Sequence, residues 1–154
     1  FVDGEDVRIY QQPRRQPLLQ APSGALPQVE IVSASLGASP LALRALVDAR
    51  VPGLVLEGTG RGQVPPSWVP EAERAARAGI SVLVCSAALH GAVLPCYEYP
   101  GSLHSLQEAG ALGVSGLSAR KARMRLMLAL ACLGGQGNRD ALRPLFDWGA
   151  GRDA

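Results

Sequence analysis

The sequence offers few side chains placed to do chemistry, and the most suggestive stretch is GLVLEGTGRGQVP, Gly53 to Pro65. It runs an apolar segment up to Glu57 and then sets Gly58, Gly60 and Gly62 at alternate positions, the composition of a loop whose amides could cradle a phosphate. A dinucleotide-binding fingerprint needs a third glycine where Gln63 stands, and a Walker loop needs Gly-Lys-Ser/Thr where Gly62 is followed by Gln-Val-Pro-Pro. Both matches fail, and Pro65-Pro66 postpones the next helix beyond the reach of its dipole. What survives is a strand ending in a glycine-rich crossover. Glu57 there either takes part in function or satisfies backbone amides of the turn.

Other candidates are weaker. Cys85 and His90 could form a nucleophile–base pair, but Cys85 sits inside the apolar run SVLVCS, where a small buried residue is expected. His90 and His104 could hold a metal only with help from Glu98 or Cys96, and their spacing matches no ligand pattern. Arg120, Lys121, Arg123 and Arg125 could grip phosphates, yet they open an amphipathic helix and read as its solvated or salt-bridged face. Tyr97, Glu98 and Tyr99 differ in kind. Two aromatics bracketing a carboxylate, in the loop HGAVLPCYEYPG, suit contact with a small polar ligand or another subunit, or else tuck the loop down by its tyrosines.

Elements that could position these residues alternate along the chain. The runs VEIVS (29–33), GLVLEG (53–58), SVLVCS (81–86) and ALGVSG (111–116) read as strands, and the helical stretches ASPLALRALVDAR and PEAERAARAG fall between them. That alternation predicts βαβ units around a parallel sheet. Ser39 before Pro40, Pro70 with Glu71 and Glu73, and Gly79 mark helix ends. LSARKARMRLMLALACLGG predicts a long helix with Ser118 as N-cap, Gly134 as stop, and Ala122, Leu126, Met127, Leu130 and Leu133 as its apolar stripe. A last helix, about Asn138 to Trp148, is expected to close over the sheet. GSLHSLQEAG reads as a loop with His104 solvated.

The 154 residues, 47% apolar and 18% charged, suffice for one ordinary domain. A formal net charge of +2 predicts no nucleic-acid partner, and Lys121 is the only lysine among the fifteen basic residues. No apolar run approaches the roughly 20 residues that span a bilayer. Cys85, Cys96 and Cys132 are odd in number and far apart, which favours a reducing compartment such as the cytoplasm. FVDGEDVRIY starts without a methionine, on the strand-like DVRIY, and QQPRRQPLLQAPSGALP follows as an extended connector. Residues 1–27 are therefore expected to be the end of a preceding domain and its linker, 28–149 the packed domain, and 150–154 a tail.

In order and spacing, these pieces resemble the C-terminal domain of the L-asparaginases. That family shows a G-[IL]-V-x-x-G-x-G-x-G crossover, a helix leading into A-x-x-G-I-x-V-V, a Ser followed by a G-x-V loop, and a closing L-x-P-x-K-A-R-x-x-L-M-L-A-L. They stand here as GLVLEGTGRGQVP, AARAGISVLVCS, HGAV and LSARKARMRLMLALA. The likeness covers about Gln28 to Leu133. It implies a small three-layer Rossmann-like α/β domain with a four-stranded parallel sheet.

The resemblance also implies a function. The family hydrolyses asparagine to aspartate and ammonia with a threonine nucleophile on a larger N-terminal domain, in T-G-G-T-I and H-G-T-D-T motifs that do not occur in these 154 residues. This chain then carries no catalytic residue. In the periplasmic-type members this domain reaches a neighbouring subunit's site with an Asn and a Glu. The Glu falls on Glu98, whose carboxylate would meet the substrate amino group, while the Asn falls at Gly37 and that contact is missing. The implied partners are the chain's own N-terminal domain and further copies in a homodimer or homotetramer, with no metal or organic cofactor and no membrane. Two alternatives stay open: a free-standing small-ligand or interaction module, and the asparaginase-like subunit of a tRNA-dependent amidotransferase.

Overall fold

The computed structural model describes residues 24–146, Pro22, and two short strands, β1 (Val2–Asp3) and β2 (Asp6–Val7), which pair antiparallel. Of the expected strand DVRIY, β2 is present and residues 8–10 lie outside the described residues, as does most of the connector.

Four parallel strands form the main sheet in the order β3 (Val29–Ser33), β4 (Gly53–Gly58), β5 (Ser81–Ser86) and β6 (Leu112–Gly113). The first three have the bounds the sequence predicts. The fourth is shorter than Ala111–Gly116, because only Leu83 and Val84 of β5 find ladder partners on it.

Side-chain alternation divides the core in two. Leu54 and Leu56 of β4, with Val82 and Val84 of β5, pack on one face against α1 (Leu41–Asp48), α2 (Val69–Arg77) and α3 (Leu103–Glu108). Val55, Leu83 and Cys85 point the other way, against α4 (Ala119–Cys132) and α5 (Arg139–Phe146). Helices on both faces of a parallel sheet give the three-layer α/β arrangement that the sequence predicts.

The helix ends follow local chemistry. Ser39 Oγ accepts from the Leu41 N–H at 3.2 Å, one residue earlier than a standard N-cap. Ser118 caps α4, Asn138 Oδ1 caps α5 through the Ala141 N–H at 2.9 Å, and Gly134 follows the α4 C-cap in left-handed conformation. Two expectations need correction. Leu133 is the C-cap of α4 and 38% exposed, so Ala119 and Ala129 complete the buried stripe instead. GSLHSLQEAG is not a loop: α3 forms within it, capped by Ser102 and anchored by the buried Leu103 and Leu106. Among the described residues, no helix is long and apolar enough to cross a membrane.

Candidate functional site

Strand carboxyl ends and the crossovers that leave them are where open α/β sheets place their sites. Here that edge opens into a cleft of about 650 Å³ whose polar lining comes from Ser33, Glu57, Ser86, Ser118 and Arg120. Ser33, the last residue of β3, and Glu57, the last but one of β4, stand in direct register, and the Ser33 hydroxyl donates to Glu57 Oε2 at 2.6 Å. Glu57 therefore does not serve the glycine turn as one of its two readings held.

Gln63 serves it. The Arg61 N–H donates to Gln63 Oε1 at 2.8 Å, the Thr59 N–H to the Gln63 carbonyl at 2.8 Å, and the Gly62 and Gln63 N–H groups to the Thr59 carbonyl at 2.9 Å. With these amides consumed inside the turn, Thr59–Gln63 presents no nest for a phosphate. A Cβ at Gly58 would lie 2.7 Å from the Gln63 carbonyl oxygen, so the tight closure requires glycine there. Trp68, nearly fully buried, ties this region to the β3–α1 turn through its Nε1–H to the Ala38 carbonyl at 3.2 Å.

Cys85 lies under the cleft in the α4-facing core. Burial, with the Glu57 carboxylate adding to it, pushes its thiol up to about 12, so it carries no thiolate at neutral pH and cannot act as a nucleophile with His90. His104 pairs instead with Glu108, one turn along α3, at 3.4 Å. Among the described residues, no three His, Cys, Asp or Glu side chains gather as metal ligands.

The basic cluster divides by role. Arg123 Nε donates to the Val29 carbonyl at 2.7 Å and Arg125 Nε to the Leu145 carbonyl at 2.7 Å, the latter guanidinium lying 5.6 Å over the Phe146 ring. These two brace α4 against β3 and α5. Arg120 alone of the four lines the cleft.

Glu98 stands outside the cleft lining, exposed on the β5–α3 loop. Tyr97 and Tyr99 flank it about half exposed, their rings 5.7 Å apart and tilted by 34°. The loop is thus not tucked down by its tyrosines. Its anchors are Val93, the valine of HGAV, and Gly101, the last residue of the loop. Ser33 was missed, although aligning the first residues of VEIVS and GLVLEG would have set it beside Glu57.

Residues 28–146 match the family model described as the glutaminase/asparaginase C-terminal domain. An L-asparaginase of Bacillus licheniformis is 36% identical over 133 residues, covering 85% of this chain and 40% of the relative. A glutamyl-tRNA(Gln) amidotransferase subunit of Methanosarcina mazei is 35% identical over 117 residues, covering 76% of this chain and 27% of the relative. A probable L-asparaginase of Deinococcus radiodurans is 32% identical over 146 residues, 95% of this chain and 43% of the relative. The chain spans less than half the length of these relatives.

Proposed function

The chain belongs to the glutaminase/asparaginase C-terminal domain family, and from that premise we propose that it is the C-terminal part of a cytoplasmic L-asparaginase-like amidohydrolase. The observation that carries this reading is the family match across the whole packed unit, residues 28–146. Residues 1–27 then end the preceding domain and link it to this one; the expected tail, 150–154, lies outside the described residues.

In the proposed reaction a threonine of the N-terminal domain attacks the side-chain amide carbon of asparagine. Ammonia leaves, and water cleaves the resulting ester to release aspartate and regenerate the threonine. The present chain performs no bond cleavage; Cys85, buried in the α4-facing core, is held protonated. Its part is assembly and completion of the site. The exposed Glu98 carboxylate would accept from the substrate ammonium across a subunit boundary, which makes a dimer or tetramer obligatory.

The test is Glu98→Gln in the full-length protein. Loss of a charge-assisted hydrogen bond to substrate is expected to raise the KM for asparagine roughly tenfold. An unchanged KM would remove Glu98 from the site.

A second reading has support in the likeness to the Methanosarcina mazei amidotransferase subunit. On that reading the ammonia is delivered to glutamyl-tRNA(Gln) by a partner subunit. Ammonia release that rises when the charged tRNA is added would favour it; release indifferent to tRNA favours free amide hydrolysis.

A further inference from the structure

The glycine crossover closes on itself without offering amides to a ligand, and what it does hold is the loop that carries Glu98. Val93, 7% exposed, seats its side chain against the crossover: a Cβ built at Gly62 would lie 3.0 Å from Val93 Cγ1 and 3.2 Å from Val84 Cγ1. The same Val93 backbone is held from the far side by one hydroxyl. Its N–H donates to Ser115 Oγ at 2.9 Å, and the Ser115 hydroxyl lies 3.2 Å from the Val93 carbonyl as donor.

Beyond Glu98 the loop is pinned again at Gly101. The Gly101 carbonyl accepts from the Val64 N–H at 2.8 Å, and its N–H donates to Ser105 Oγ at 3.0 Å. Val64 directly follows the closed turn, so both ends of the arc 94–100 are fixed on or beside the crossover. An arc fixed at both ends has little conformational freedom left to lose when a ligand arrives.

We infer that Ser115, by clamping Val93 into its seat beside Gly62, is the positioning residue for the Glu98 carboxylate. Ser115 sits just past β6 and well along the chain from Glu98, and its hold on Glu98 runs through Val93 and the loop. The inference rests on the reading that Glu98 meets substrate, and it assigns to the glycine crossover the role of a seat for the substrate-contacting loop.

The test is steady-state kinetics with asparagine on the full-length protein carrying Ser115→Ala, Ser115→Thr, Glu98→Gln and the Ser115→Ala/Glu98→Gln pair. Ser115→Ala is expected to raise KM about three- to tenfold with kcat changed less than about twofold, and Ser115→Thr, which keeps the hydroxyl, to return KM to within about twofold of the parent. In the double variant Ser115→Ala adds nothing to Glu98→Gln, because the clamp acts through that carboxylate. A merely structural role would lower the folded fraction and kcat and leave KM alone.

KM raised by Glu98→Gln but unchanged in Ser115→Ala overturns this inference and leaves the Glu98 reading standing; additive effects in the double variant do the same. KM unchanged in Glu98→Gln overturns both. Should Ser115→Ala fail to fold, Val93→Ala empties the seat while sparing the backbone clamp and carries the same expectation, with an unchanged KM again overturning the inference.

Discussion

Glu71 Oε1 accepts from Arg44 Nε at 2.8 Å, joining α2 to α1 through a carboxylate whose side chain is only 10% exposed. Arg74 takes its other oxygen and reaches on to Asp48. Burial alone would push the Glu71 carboxyl up, but hydrogen bonds and charge from Arg44 and Arg74 outweigh it and hold the group below its usual 4.5.

A carboxyl depressed in the folded state contributes stability above its unfolded value, and that contribution is lost as pH falls through the folded one. Glu71→Gln is therefore expected to cost about 1–2 kcal/mol at pH 7, a figure kept modest because both arginines are about half exposed. It should also flatten the fall in stability below about pH 4.5. Urea unfolding of parent and variant at several pH values checks both; parallel curves down to pH 3 would remove Glu71 from acid unfolding.

Arg50 follows α1 at φ +53°, where Gly79, Gly110 and Gly134 stand after α2, α3 and α4. Its N–H and that of Val51 close back on the Val47 and Leu46 carbonyls, the same terminal pair of bonds that Gly79 and Ile80 make. A Cβ in left-handed backbone is unfavourable, so Arg50→Gly should stabilise the fold by about 0.5–1 kcal/mol. The check is a higher denaturation midpoint with an unchanged slope.

Gly58→Ala should act in the opposite sense. Its Cβ would press on the Gln63 backbone, which no side-chain rotation relieves, and a loss of about 1–3 kcal/mol is expected. Because the crossover seats Val93 and Gly101, proteolysis within 94–100 should accelerate in the same variant. Limited digestion of folded protein measures this directly.

Cys85, with its thiol near 12, should resist alkylation in the native protein at pH 8, while the exposed Cys96 and Cys132 react. Mass spectrometry after iodoacetamide, with and without denaturant, separates the sites. Labelling of Cys85 in the absence of denaturant would contradict its place in the core.

The sheet was legible because three strands are long apolar runs punctuated by glycine, serine and proline, and their expected bounds coincide with β3, β4 and β5. β6 was overextended because Val114 continues the apolar run, yet its N–H bonds to the Val84 carbonyl beyond the last paired residues. α3 was illegible by periodicity, since six residues give Leu103 and Leu106 a single repeat; Ser102, three residues before the Ser105 N–H it accepts from, was the usable sign. The site was harder. Glycines at Gly58, Gly60 and Gly62 announced a special backbone, but whether their amides face a ligand or each other depends on Gln63, whose side chain closes the turn. Ser115 and Val93 meet only through the fold.

On the reading proposed above, this chain completes an amide-hydrolysing site whose nucleophile lies in another part of the protein. Ammonia release from asparagine, measured side by side for the full-length protein and for residues 1–154 alone, tests it most directly. Turnover by the full-length protein and none above background by the isolated chain is the predicted result; enzymatic turnover by residues 1–154 alone would contradict it.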